Sequence, residues 1–344
     1  MEPTRCPDTS GRQGIGWNAI ANVQRVPDTV LFCTDTFWDT AGDRIVAADP
    51  TVEIVRLVGD ERVMASDLDR ITAACFSADA YPDRLRAFLG VCTSAPQLDW
   101  LHTSFAGTDH PVFDTFLSRG VTVTNGIGVS APSIAGTVML YLLALSRDLP
   151  RWIRDQQVRH WEPRRFNDLA GMRLGIVGMG AIGSEVARLA SAFEMEVTGV
   201  RRRPRGDEPC TTWSTDALPE LLAWAEAVVV CAPLTDDTRG MFDAAAFAAM
   251  RPGAWFVNVG RGEVVDEQAL AGALGSGHLG GAGLDVFTVE PLPDESPLWA
   301  MPNVIISPHT SGITNRSYSR SIELFIDNFG RYARGEPLRN VVTR

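Results

Sequence analysis

Apolar positions along this chain alternate between short continuous runs and longer helical spacings. Residues 29–33, 52–58, 71–76, 98–104 and 121–124 are compact apolar runs that predict buried strands. Helical patterns over 82–89 and 111–118 lie between them. Such alternation predicts a parallel, doubly wound α/β sheet. Residues 133–146 then form a helix that is apolar on nearly every side (Ile134, Val138, Met139, Leu140, Leu142, Leu143, Leu145), which predicts burial all round at a domain or subunit interface. A second alternating unit follows, with strands over 174–177, 196–200, 227–231, 254–257, 283–286 and 304–307. A last helix covers 318–332.

The second unit opens with the chain's most informative stretch, LGIVGMGAIG over residues 174–183. A buried strand breaks at Gly178, Gly180 and Gly183, then resumes as a helix through Val186, Leu189 and Ala190. Strand, glycine turn and helix together make a dinucleotide fingerprint. The glycines permit a tight turn and close backbone approach, and the helix N-terminus, from Ala181 and Ile182 onward, faces a pyrophosphate. At the end of the next strand, 18 residues after Gly183, an NAD-selective site carries Asp or Glu for the ribose 2′-hydroxyl. Here stand Arg201, Arg202 and Arg203. With no acid in the run to repel a 2′-phosphate and guanidinium groups to pair with it, the pattern favours NADP(H), with NAD(H) the alternative. The plain reading of the same arginines is a solvated basic turn.

Composition narrows the classes. The 344 residues, 45% hydrophobic and 21% charged, leave room for two domains. A net charge of −11 argues against a nucleic-acid or anionic-membrane binder. No apolar run reaches membrane-span length, and the N-terminus lacks the pattern of a signal peptide, so a cytoplasmic location is expected. Residues 1–26 read as a polar extension, disordered on that composition. The six cysteines have no metal-ligand spacing, so no metal is expected and the thiols read as reduced and mostly buried. All 31 basic residues are arginine. The absence of lysine excludes a P-loop lysine, a Schiff base or a lysine acid-base group, leaving proton chemistry to His, carboxylate, Tyr or Cys.

Three later strands each end in an ionisable residue: Arg261 after Phe256 and Val257, Glu290 after 283–286, and His309 after 304–307. Singly, these are a salt-bridging arginine, a loop acid before proline and a surface histidine. Together they suit an anionic keto acid. Arginine clamps the carboxylate, histidine exchanges the hydroxyl proton, and the carboxylate orients the histidine. Neighbouring parallel strands bring such ends to one crevice.

The segments NVGRGEVVDEQAL (258–270), GLDVFTVEPLPDESPLW (283–299) and ISPHTSG (306–312) resemble the signatures of the D-isomer-specific 2-hydroxyacid dehydrogenases. CAPLTDDTRGMF (231–242) is similar to that family's cofactor loop, and the resemblance runs from about residue 98 to the C-terminus. Within the family, the chain looks most like the NADPH-dependent glyoxylate/hydroxypyruvate reductases. The resemblance implies a flavodoxin-like substrate domain over 27–128 plus 313–344 and a Rossmann domain over 129–312, with a cleft between them. It implies Arg261, Glu290 and His309 as catalytic residues, and Pro233, Thr238, Val259 and Asp285 as further cofactor contacts, the last at the nicotinamide carboxamide. Phe105, Ala106 and Gly107 would join Arg261 and His309 around the substrate, with a small-molecule 2-keto or 2-hydroxy acid as partner and a homodimer as the assembly. Formate dehydrogenases of the superfamily carry glutamine where Glu290 stands, so that relative is disfavoured. Two departures stand out: Phe105 replaces a small residue, and Gly136 replaces a glutamate of the linking helix. Two alternatives stay open, a phosphoglycerate dehydrogenase and a cofactor-sensing corepressor. Only 35 residues follow His309, which leaves no room there for an added regulatory domain.

Overall fold

The computed structural model describes residues 29–343 apart from 60 and 109, so the extension expected over 1–26 lies outside the described residues. The chain divides into two compact units. One combines the residues up to Ile127 with those from Tyr318 on, and the other runs from Gly128 to Ser317.

The first unit holds five parallel strands: β1 (Val30–Thr34), β2 (Glu53–Leu57), β3 (Ala73–Phe76), β4 (Trp100–Thr103) and β5 (Thr122–Thr124). Their order is β2-β1-β3-β4-β5, the flavodoxin-like arrangement. The strands β1, β3 and β4 are buried on both faces and read as continuous runs, whereas the edge strand β2 exposes Glu53 and Arg56. The last helix, Ser317–Ala333, belongs here from Tyr318 on. Its Phe325 stacks on Trp100 of β4 with ring centroids 5.6 Å apart, and Tyr332 donates to the Asp99 carboxylate at 2.6 Å. Burying such a ring contributes roughly 1.5–3 kcal/mol.

The second unit holds seven parallel strands: β6 (Arg173–Val177), β7 (Glu196–Val200), β8 (Thr211–Trp213), β9 (Ala227–Val230), β10 (Trp255–Asn258), β11 (Gly281–Leu284) and β12 (Val304–Ile306). The order β12-β11-β10-β9-β6-β7-β8 is that of a Rossmann sheet with an added strand. Strand order reverses at β6, where the glycine turn leaves the sheet.

Several expectations need correction. Helix Asp35–Ala48 falls in a stretch left unassigned by the apolar pattern, although Thr34 caps it by accepting from the Phe37 N–H at 3.1 Å. The helix expected over 82–89 is Leu85–Ser94: residues 81–84 form a turn instead, and Arg84 precedes the helix as its N-cap residue with φ −101° and ψ 3°. Strand β8 was missed because it is three residues long and follows a proline-containing loop. Strand β11 starts two residues earlier than the apolar run suggests. Gly281 and Gly283 are needed there: a Cβ would stand 2.7 Å from Leu145 and 2.5 Å from the Tyr141 ring. Within the single chain, the helix bearing those two residues, Ala131–Ser146, is buried on most sides and leaves Leu140 56% exposed.

Candidate active site

The three strand-end residues lie on loops that leave β10, β11 and β12, which are neighbours in one sheet. His309 Nδ1 lies 2.8 Å from Glu290 Oε2, and the other Glu290 oxygen accepts from the Phe287 N–H at 2.9 Å. A carboxylate only accepts, so the proton between His309 and Glu290 sits on Nδ1. His309 Nε2 is thereby left as the nitrogen that exchanges a proton with a ligand. His309 also has a left-handed backbone, φ 52°, and half of its side chain is exposed.

That conformation is enforced by Asp285, which is buried. Its carboxylate accepts from the Thr310 and Ser311 N–H groups at 2.9 and 3.1 Å, and from the Ser307 and Ser311 hydroxyls. Ser307 gives its proton to Asp285, so the Tyr141 hydroxyl 2.5 Å away donates to Ser307. Burial, partly offset by the bond to Ser307, pushes the Tyr141 phenol up to about 12. The task this geometry gives Asp285 is to fasten the loop that carries His309, which the sequence did not reveal.

Arg261 follows β10. Its Nη1 donates to the Gly260 carbonyl at 2.8 Å, and the Asn258 amide closes the turn by donating to the Arg261 carbonyl at 3.0 Å and accepting from the Gly260 N–H at 3.0 Å. Gly262 then packs directly against the backbone of Phe287 and Thr288. Gly262 thus ties the Arg261 loop to the loop that ends in Glu290.

The fingerprint after β6 fits a dinucleotide. A Cβ on Gly178 would stand 2.6 Å from the Ala232 nitrogen, and one on Gly183 2.2 Å from the Gly178 oxygen, so packing requires both glycines. A Cβ on Gly180 meets nothing within 4 Å. Gly180 precedes helix Ala181–Ala192, whose first turn no side chain caps. Open space over uncapped N–H groups, at Ala181 and Ile182, is what a pyrophosphate needs. Val259 is buried beside this point, its N–H bonded to the Val230 carbonyl at 3.1 Å. Thr238 turns its hydroxyl onto the Pro233 carbonyl at 2.7 Å, which closes the loop after β9.

At the end of β7, Arg202 and Arg203 are exposed. The run itself holds no acid, but the fold brings one to it: Glu208, seven residues on, pairs with Arg201 at 3.0 Å. Sequence proximity gave no sign of this, because the loop has to turn back first.

Phe105, Ala106 and Gly107 belong to the first unit, after β4. Phe105 packs on Phe76 and on the exposed Tyr81, at centroid distances of 5.5 and 5.7 Å. The Ala106 carbonyl accepts from Asn125 at 3.0 Å. Gly126 closes on the Ser104 carbonyl so tightly that a Cβ would lie 2.1 Å from it.

Residues 139–311 match the family model described as D-isomer specific 2-hydroxyacid dehydrogenase, NAD binding domain. A glyoxylate/hydroxypyruvate reductase B of Escherichia fergusonii is 36% identical over 72% of this chain and 78% of its own. A D-3-phosphoglycerate dehydrogenase of Mycobacterium tuberculosis is 34% identical over 74% of this chain and 49% of its own. Among solved structures, a D-isomer specific 2-hydroxyacid dehydrogenase from Xanthobacter autotrophicus, in complex with NADPH and MES, superposes with TM-score 0.75. It is 32% identical, over 92% of this chain and 98% of that one.

Proposed function

The chain belongs to the D-isomer-specific 2-hydroxyacid dehydrogenase family, and within it we propose a reductase of short 2-keto acids, glyoxylate and hydroxypyruvate foremost, that prefers NADPH to NADH. The observation that carries this reading is the His309–Glu290 pair, held at a strand end in the sheet that bears the glycine fingerprint. A histidine with one nitrogen anchored to a carboxylate and the other left to a ligand is built to move one proton.

Gly178, Gly180, Ala181, Ile182 and Gly183 hold the cofactor's pyrophosphate, and the exposed arginines after β7 take its 2′-phosphate. Pro233, Thr238 and Val259 line the rest of its bed. Bound there, the reduced nicotinamide supplies the hydride. Arg261 pairs with the substrate carboxylate and draws electron density from the adjacent carbonyl. His309 gives its Nε2 proton to the carbonyl oxygen as that oxygen becomes an alcohol. It keeps its Nδ1 proton throughout, because Glu290 holds that proton and stabilises the imidazolium before transfer. Glu290 is itself fixed by the Phe287 N–H. In the first unit, Phe105 and the backbone N–H groups of Ala106 and Gly107 are assigned to the substrate and its carboxylate.

We further assign the protein to the cytoplasm and to a homodimer. No helix among the described residues is long and apolar enough to cross a membrane. The exposed Leu140 on an otherwise apolar helix, with exposed Trp152 and Ile153 on the helix Leu149–Gln157, supports pairing with a second copy. Sedimentation analysis tests the assembly, and a monomer at micromolar concentration would refute it.

The activity is tested by following loss of reduced-nicotinamide absorbance, NADPH against NADH, over glyoxylate, hydroxypyruvate, pyruvate, phenylpyruvate and phosphohydroxypyruvate. Turnover of glyoxylate or hydroxypyruvate that is faster with NADPH supports the proposal. Turnover of phosphohydroxypyruvate alone would favour the phosphoglycerate reading. Tight cofactor binding without turnover of any would favour the sensor.

A further inference from the structure

Of the three consecutive arginines after β7, the first differs from the others. Arg201 is partly buried, and its Nη1 donates to Glu208 Oε1 at 3.0 Å. Only 4% of the Glu208 side chain is exposed. The same carboxylate accepts from the backbone N–H groups of Arg205 and Gly206, at 2.8 Å each, and Gly206 turns the chain with φ 86°. The Arg201 N–H donates to the Trp213 carbonyl of β8 at 3.0 Å. The loop 201–206 is therefore fastened at both ends, by the sheet and by Glu208, while Arg202 and Arg203 stay exposed between the two anchors.

A carboxylate placed this way has two opposed effects. It orders the turn, which lowers the entropic cost of presenting the exposed arginines at binding. It also sets a negative charge, shielded from water, close to where a phosphate would sit, and such a charge is unfavourable unless paired. Arg201 is the counter-charge that resolves the conflict.

We propose that Arg202 and Arg203 take the ribose 2′-phosphate, and that Arg201 and Glu208 are positioning residues, Glu208 clasping the turn and Arg201 cancelling its charge without touching the phosphate. The proposal rests on the NADPH reading. It revises the equal roles that spacing along the sequence gives the three arginines, and it makes Glu208 a determinant of cofactor choice.

The test uses the full chain and calorimetric binding of adenosine 2′,5′-bisphosphate and of 5′-AMP, which differ only by the 2′-phosphate and lack the nicotinamide. Wild type should prefer the bisphosphate. Arg202→Ala should weaken bisphosphate binding about tenfold or more, the value of a charge-assisted hydrogen bond to phosphate. Arg201→Ala should weaken it similarly, by leaving Glu208 charged and unpaired. Adding Glu208→Gln to Arg201→Ala should recover a measurable part of that loss, since the charge is gone, while the amide oxygen keeps one of the two turn N–H bonds and its NH2 faces the other. Binding of 5′-AMP should stay within about twofold in every variant, on the same scale. A double variant as weak as Arg201→Ala would place Arg201 on the phosphate itself and overturn the proposal. Equal losses for both nucleotides would reduce the pair to loop scaffolding and overturn it too. A wild type indifferent to the 2′-phosphate would instead refute the NADPH reading beneath it.

Discussion

Gly262 lies so close to Phe287 that a Cβ on it would stand 1.9 Å from the Phe287 carbonyl carbon. This approach couples two of the three strand-end loops: one side of it carries Arg261, and the other runs on to Glu290 through the Phe287 N–H bond. The distance between the residue assigned to the substrate carboxylate and the residue that anchors the histidine is therefore set by a glycine that itself touches neither.

Gly262→Ala should separate the two loops, because the obstruction is backbone and has no rotamer to give. The expected cost is about 1–3 kcal/mol of stability together with a fall in kcat. Thermal melts and steady-state rates measured on the same preparation check this, and a variant with wild-type kcat would show that the loops are set by something else.

Asp285→Asn exchanges an acceptor-only group for one that must also place two donors among N–H and O–H groups already pointing at it. The loop 307–311 should loosen. Expected are a loss of about 2 kcal/mol in stability, the scale of hydrogen bonds to a charged group, and a lower kcat with little change in NADPH affinity. If Asp285 serves the nicotinamide instead, cofactor affinity will fall first.

His102 should give the stability of the protein a pH dependence. Complete burial pushes its imidazole down to about 3 from the ordinary 6.5, and among the described residues its Nε2 has no hydrogen-bond partner. Between those values the unfolded chain binds a proton that the folded chain refuses, so stability falls as the pH drops below 6.5. The slope contributed is up to about 1.4 kcal/mol per pH unit. Denaturant titrations from pH 7 to 4.5 on wild type and His102→Phe measure it. The variant should have the shallower slope, and equal slopes would contradict the burial argument.

Most strands of both sheets were legible in the sequence because strands covered on both faces are short, predominantly apolar runs. The glycine turn was legible because packing compels Gly178 and Gly183, while Gly180 leaves open space over the helix N-terminus. Strand β11 was misplaced because its register depends on a neighbour, the Tyr141 ring, that pattern alone does not show. Helix Asp35–Ala48 was missed because Asp, Thr and Gly dilute an apolar face of Phe37, Ala41 and Ile45. Within the site, residue types and their order pointed to Arg261, Glu290 and His309. The supporting bonds were invisible, since Asp285, Ser307 and Tyr141 meet only once the strands are laid side by side, and Glu208 reaches Arg201 only when the loop folds back.

The most direct test of the account is single-turnover reduction of glyoxylate or hydroxypyruvate by NADPH, with wild type and His309→Gln, alongside NADPH binding to both. The account expects the variant to bind NADPH as wild type does and to lose about 10²-fold or more in the reduction rate, the usual worth of a positioned general acid. A variant that reduces the keto acid at the wild-type rate would contradict it, because the proton would then come from a group other than the histidine held by Glu290.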